Sequence, residues 1–144
     1  MESVVVEKIK FEELRKEIKL KSHGDLMNSI HVLLHVPSSG IDCYNIKETY
    51  RRLRIETVPT VQYLFLHISN ELNEFLKRKF VAQYEKIFDP FVPAFKSESE
   101  LEGSFRAQIN SNIIHIPLML LPGDKIFISL YARKPFEASM KLDF

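Results

Sequence analysis

His31 and His35 stand four residues apart, so on a helix both imidazoles leave from one face, as in many metal-binding pairs. On a strand the two also share a face, because side chains there alternate with a period of two. Metalloprotease chemistry needs a glutamate directly after the first histidine, and Val32 holds that place. No second cluster supplies the missing ligands, so the pair reads as structural or exposed rather than as a metal site. Cys43 is the sole cysteine. It excludes an intrachain disulfide and a cysteine-based zinc site, and its thiol would be reactive only beside a histidine brought to it by the fold. Ser38-Ser39-Gly40 reads as a turn and not as a nucleophile elbow. The glycines at 24, 40, 103 and 123 leave no phosphate-cradling glycine motif. Carboxylate pairs such as Glu12-Glu13, or Glu71 with Glu74, lie among other charges and read as solvated surface. No catalytic set and no cofactor site emerge, and the chain reads as non-enzymatic.

Two basic clusters suggest binding instead. Tyr50, Arg51, Arg52 and Arg54 put three guanidiniums and an aromatic ring within five residues, a combination that grips phosphates and stacks on bases. Lys77, Arg78 and Lys79 form the second cluster. Neighbouring glutamates at 48, 56, 71, 74 and 85 offset both, which is the pattern of a solvated helix surface. A third feature is the C-terminal run in which Met140, Leu142 and Phe144 alternate with polar residues. Such a strand either completes its own sheet or docks on a partner.

The composition agrees with a binding protein. The chain has 144 residues, 20 basic and 19 acidic side chains, and a net charge of +1, so no strong overall field steers it toward nucleic acid or a polyanion mimic. Hydrophobic residues make up 45%, including 11 Phe and 5 Tyr, which is enough for one core and one domain over residues 1–144. The N-terminus shows no signal-peptide core and no run approaches the ~20 apolar residues of a membrane span. These features predict a soluble protein of the cytoplasm.

The elements that position these residues divide at Asp89-Pro90. Phe11, Leu14 and Ile18 predict a helix over 6–21. The run from Leu26 to Val36 suits a helix or a strand, with a helix favoured, and Asn45 is placed to cap a short helix to about Ile55. From Val61 through Leu64, Phe65, Ile68, Leu72 and onward to Phe88, apolar residues recur at three and four, predicting a long amphipathic helix over 60–88. Residues 90–103 form a connector with one basic and three acidic groups. After Gly103 the period becomes two, with strands expected near 105–109, 113–121, 126–132 and 138–144. The predicted fold is α+β, with N-terminal helices packed on a C-terminal antiparallel meander of three to four strands.

In size, in the charge-dense segment EKIKFEELRKEIKLK and in the apolar ending MKLDF, the chain resembles the small orphan proteins of viruses of thermophilic archaea, among them viral inhibitors of the host RNA polymerase. The resemblance implies a non-enzymatic regulator that binds a large host complex, RNA polymerase, in its DNA-binding channel and represses transcription. From the residues themselves, direct nucleic-acid binding through the basic clusters and a virion or assembly role are the alternatives.

Overall fold

The computed structural model describes residues 5–38, 50–57, 61–69, 104–108 and 112–143. Among them there is no α-helix: these residues form nine strands and one short 3₁₀ helix, and the predicted α+β arrangement is replaced by two packed β-sheets. The strands are β1 (Val6–Lys10), β2 (Ile18–Lys21), β3 (Asn28–His35), β4 (Tyr50–Glu56) and β5 (Val61–Ser69), followed by β6 (Ser104–Gln108), β7 (Ile113–Met119), β8 (Lys125–Ala132) and β9 (Glu137–Asp143). One sheet has the order β1-β3-β8-β5-β6 and the other β2-β9-β4-β7.

Each misplaced helix has a physical reason. Phe11 and Leu14 keep their three-residue spacing in the 3₁₀ turn Phe11–Arg15, where both are buried, but the flanking segments extend into β1 and β2. The Leu26–Val36 region becomes β3, in which Asn28, Ile30, Val32 and Leu34 point inward. The segment expected as a helix ending near Ile55 yields β4, with Leu53 and Ile55 buried. In β5 the buried set is Val61, Leu64, Leu66 and Ile68, a period of two interrupted by a bulge between Val61 and Tyr63. Val61, Leu64 and Ile68 also fit a helical stripe, and a continuous apolar run satisfies both templates. Residues 70–88 of the expected long helix, and the 90–103 connector, lie outside the described residues.

The four late strands form near their expected places, but not as a meander. The pairs β2–β9, β3–β8, β4–β7 and β5–β6 are all antiparallel and nest about the β5–β6 connection, like one long two-stranded ribbon. The pairs β4–β9 and β5–β8 then roll that ribbon into two sheets. This is the jelly-roll arrangement, and β1 adds a parallel edge strand beside β3. The inner faces share one hydrophobic cluster, in which Leu34, Leu53, Ile55, Leu64, Ile116, Leu118, Leu130 and Met140 are fully buried.

Polar ties close both ends of the sandwich. At one end Ser22 N–H donates to the Phe136 carbonyl at 2.9 Å, and Phe136 N–H returns to Ser22 Oγ at 2.8 Å. The β2–β3 connection is held by reciprocal His23–Ser29 backbone bonds of 2.9 Å, with Gly24 at φ 130°. At the other end Leu121 N–H donates to the buried Asp124 carboxylate at 2.9 Å, and Asp124 N–H donates back to the Leu121 carbonyl at 3.0 Å. Gly123, at φ 82°, donates to the Pro37 carbonyl at 3.1 Å and so joins the start of the β3–β4 connection to the β7–β8 turn.

Candidate functional site on the five-stranded sheet

The strand register determines what the outer face of the five-stranded sheet presents. Ser29, His31, Leu33 and His35 of β3 alternate with its inward set. Phe127, Ser129 and Tyr131 do the same on β8, and Tyr63, Phe65 and His67 stand opposite them on β5. Three imidazoles and four aromatic rings therefore share one face, across three adjacent strands, with Lys8, Lys10 and Lys125 at its margin. Tyr63 is 44% exposed, and the other rings are half-buried.

His31 sits at the centre of this face. Its Nδ1 is 2.7 Å from Ser129 Oγ. Its ring stacks on Phe127 with centroids 5.8 Å apart and an interplanar angle of 23°, and meets Tyr131 edge-on at 5.7 Å and 77°. These are favourable aromatic geometries. Burial lowers the His31 pKa below its ordinary value, because a half-desolvated imidazolium loses hydration. The neutral ring is thus the favoured state.

A serine hydroxyl hydrogen-bonded to an imidazole is also the pairing that activates a nucleophile. Here Ser129 has no exposed surface, so an incoming substrate carbonyl has no path to its Oγ. The pair works as a clamp between β3 and β8, which fixes the orientation of the imidazole between its two aromatic neighbours. Among the described residues no group of three or more His, Cys, Asp or Glu could hold a metal ion. His31 and His35 do share a face, as a strand also dictates, but the partners of His31 are Ser129, Phe127 and Tyr131.

The opposite outer face, on the four-stranded sheet, has another character. Lys19, Lys21, Arg52, Arg54 and Lys141 are interleaved there with Glu56, Glu137 and Asp143. Arg54 Nη2 lies 3.2 Å from Glu56 Oε2, a surface ion pair. Strand alternation divides the arginine cluster: Arg52 and Arg54 face outward, whereas Arg51 shares the inward side with Leu53 and Ile55. Tyr50 opens β4. Lys77, Arg78 and Lys79 lie outside the described residues, as do Cys43 and Phe144. Met140 and Leu142 are buried in β9, which runs between β2 and β4.

The aromatic face does leave a trace in the sequence. In the 126–132 strand, Phe127 and Tyr131 occupy the side that alternates with Ile126, Ile128 and Leu130. A solvent-facing side with two large rings is an exception to apolar-in, polar-out patterning, and such exceptions mark contact surfaces.

No family model and no curated protein matches the chain. Among the described residues no helix is long and apolar enough to cross a membrane. Among solved structures, the pre-peptidase C-terminal domain of a collagenase from Bacillus anthracis is similar at 11% identity, with 99% of each chain covered and a TM-score of 0.50. A periplasmic inhibitor of g-type lysozyme from Aeromonas hydrophila aligns at 10% identity over 96% of this chain and 97% of that one, at a TM-score of 0.35. At these identities what is shared with the collagenase domain is the β-sandwich fold and nothing finer.

Proposed function

We propose that this protein is a non-enzymatic binding module that docks a partner protein on the outer face of its five-stranded sheet. The observation that carries this reading is the contrast between the two outer faces. One is laced with opposite charges, while the other gathers Tyr63, Phe65, Phe127 and Tyr131 with His31, His35 and His67. Protein interfaces have that second anatomy, an aromatic centre depleted of charge with a polar rim, here Lys8, Lys10 and Lys125. From Lys125 to Tyr131 the face runs roughly 20 Å and three strands add about 10 Å across, enough for the centre of a standard interface.

Direct nucleic-acid binding draws on Arg52 and Arg54, but Glu56 and Asp143 stand beside them and Arg54 is already paired. Nothing in the face is specific to RNA polymerase among protein partners. The test is a photo-cross-linking amino acid placed at Tyr63 and, separately, at Lys141 on the other sheet. In cells that express the protein, a discrete adduct from position 63, competed by wild-type protein but not by a Y131K variant, is expected. Equal labelling from both positions, or none from position 63, refutes the reading.

A further inference from the structure

At the end of the sandwich where β1, β3 and β8 meet the Leu121–Asp124 turn, a cavity of about 590 Å³ opens. Lys10, His35 and Lys125 line it from one register row across three adjacent strands, Lys10 opposite His35 and His35 opposite Lys125. Phe11, Val36 and Pro37 supply an apolar wall, and Ser38 brings a hydroxyl. Glu12 also lines the cavity, yet neither lysine is in an ion pair with it.

We propose that this cavity binds a small organic phosphate, its phosphoryl group held by Lys10, His35 and Lys125 and its apolar body resting on Phe11, Val36 and Pro37. Lys10 and Lys125 set two positive charges on either side of His35, a local field that favours an anion among them. With strands about 4.8 Å apart, the two lysines start roughly 10 Å from each other, and their flexible stems are long enough to reach a common point over His35. Three separate donors on independent stems suit a tetrahedral phosphate, whereas a planar carboxylate is better served by an arginine fork, and no arginine lines the cavity. Two backbone donors nearby are already committed, Gly123 N–H to the Pro37 carbonyl and Val36 N–H to the Asp124 carbonyl. Recognition therefore belongs to the side chains. The site lies at the margin of the aromatic face and shares Lys10, His35 and Lys125 with it, but its occupation by a small phosphate is read on the chain alone, without a protein partner.

The test titrates the ¹⁵N-labelled full chain with phenyl phosphate, inorganic phosphate and benzoate, following amide shifts. Phenyl phosphate is expected to give saturable shifts centred on Val36, Gly123 and Lys125, and to bind more tightly than either comparator. K10M and K125M should each weaken it about tenfold or more, the loss of one charge-assisted hydrogen bond, while K141M on the far sheet leaves it unchanged. K10Q and K125Q serve the same comparison where a methionine disturbs the spectrum outside the cavity. Wild-type affinity in K10M and K125M, an equal loss in K141M, or shifts that never saturate would overturn the site. Benzoate binding more tightly than phenyl phosphate would overturn the phosphate assignment.

Discussion

Replacing Ser129 by alanine and His31 by phenylalanine, singly and together, measures how much the clamp on the aromatic face holds. The Ser129 hydroxyl is fully buried and 2.7 Å from His31 Nδ1. In S129A the half-buried imidazole nitrogen loses its partner without regaining full hydration, which costs about 1–2 kcal/mol. For a chain of this size that lowers Tm by about 5 °C. H31F keeps a ring between Phe127 and Tyr131 and removes only the polar contact, so about 1 kcal/mol is expected. The double variant, with neither polar group present, should be more stable than the sum of the singles by about 1 kcal/mol. Urea unfolding at pH 8, where the wild-type imidazole is neutral, reads these differences at constant slope. Additivity within about 0.3 kcal/mol would mean that the clamp contributes nothing in solution, and would refute the reasoning.

The remaining expectations follow from single sites. Because burial lowers the folded-state pKa of His31 below 6.5, the unfolded chain takes up that proton first on acidification. Its contribution is therefore complete above about pH 6.5 and is lost as pH falls through the folded-state value, with a slope no steeper than about 1.4 kcal/mol per pH unit. Subtracting the H31F profile from wild type between pH 5 and 8 isolates this share, and a difference that grows on acidification contradicts it. Gly24→Ala should cost about 2 kcal/mol in thermal or urea unfolding, since φ is 130° there and a new Cβ would run into the Met27 carbonyl oxygen. Asp124→Ala should cost about 1–3 kcal/mol by leaving the Leu121 N–H unpaired, and Asp124→Asn should recover part of it. Leu130→Ala, in the fully buried centre of β8, should cost about 2–5 kcal/mol.

What the sequence could show depended on how each face is covered. β8 was legible because Ile126, Ile128 and Leu130 alternate with Phe127, Ser129 and Tyr131, and β9 because Ala138, Met140 and Leu142 alternate with charges. β5 was not, because both of its faces carry large apolar or aromatic residues and the bulge after Val61 breaks the two-residue period. The N-terminal segment misled through Phe11 and Leu14, whose helical spacing is real but lasts a single turn. Partner choice was out of reach, since Ile18 pairs with Met140 and Asn28 with Ala132, contacts that no local pattern encodes. The same limit hid the aromatic face, which exists only once β3, β5 and β8 lie side by side. It also hid the basic row, because Lys10, His35 and Lys125 come from three separate parts of the chain.

The nested ribbon also prescribes an order of assembly. Within the ribbon the β5–β6 pair, with His67 opposite Ser104, joins partners closer along the chain than the β4–β7, β3–β8 and β2–β9 pairs, and each pair then formed brings the next within reach until Ile18 meets Met140. Bringing β5 and β6 together is thus the first entropic toll on assembly of the ribbon, while the paired ends at His67 and Ser104 are near enough for a tight turn. Exchanging residues 70–103 for a turn of about four residues removes about three doublings of chain length between the paired strands, or roughly 2 kcal/mol of closure entropy. The gain falls on the refolding rate and leaves unfolding nearly untouched, so a chain rich in distant pairings would fold markedly faster without holding its native state longer.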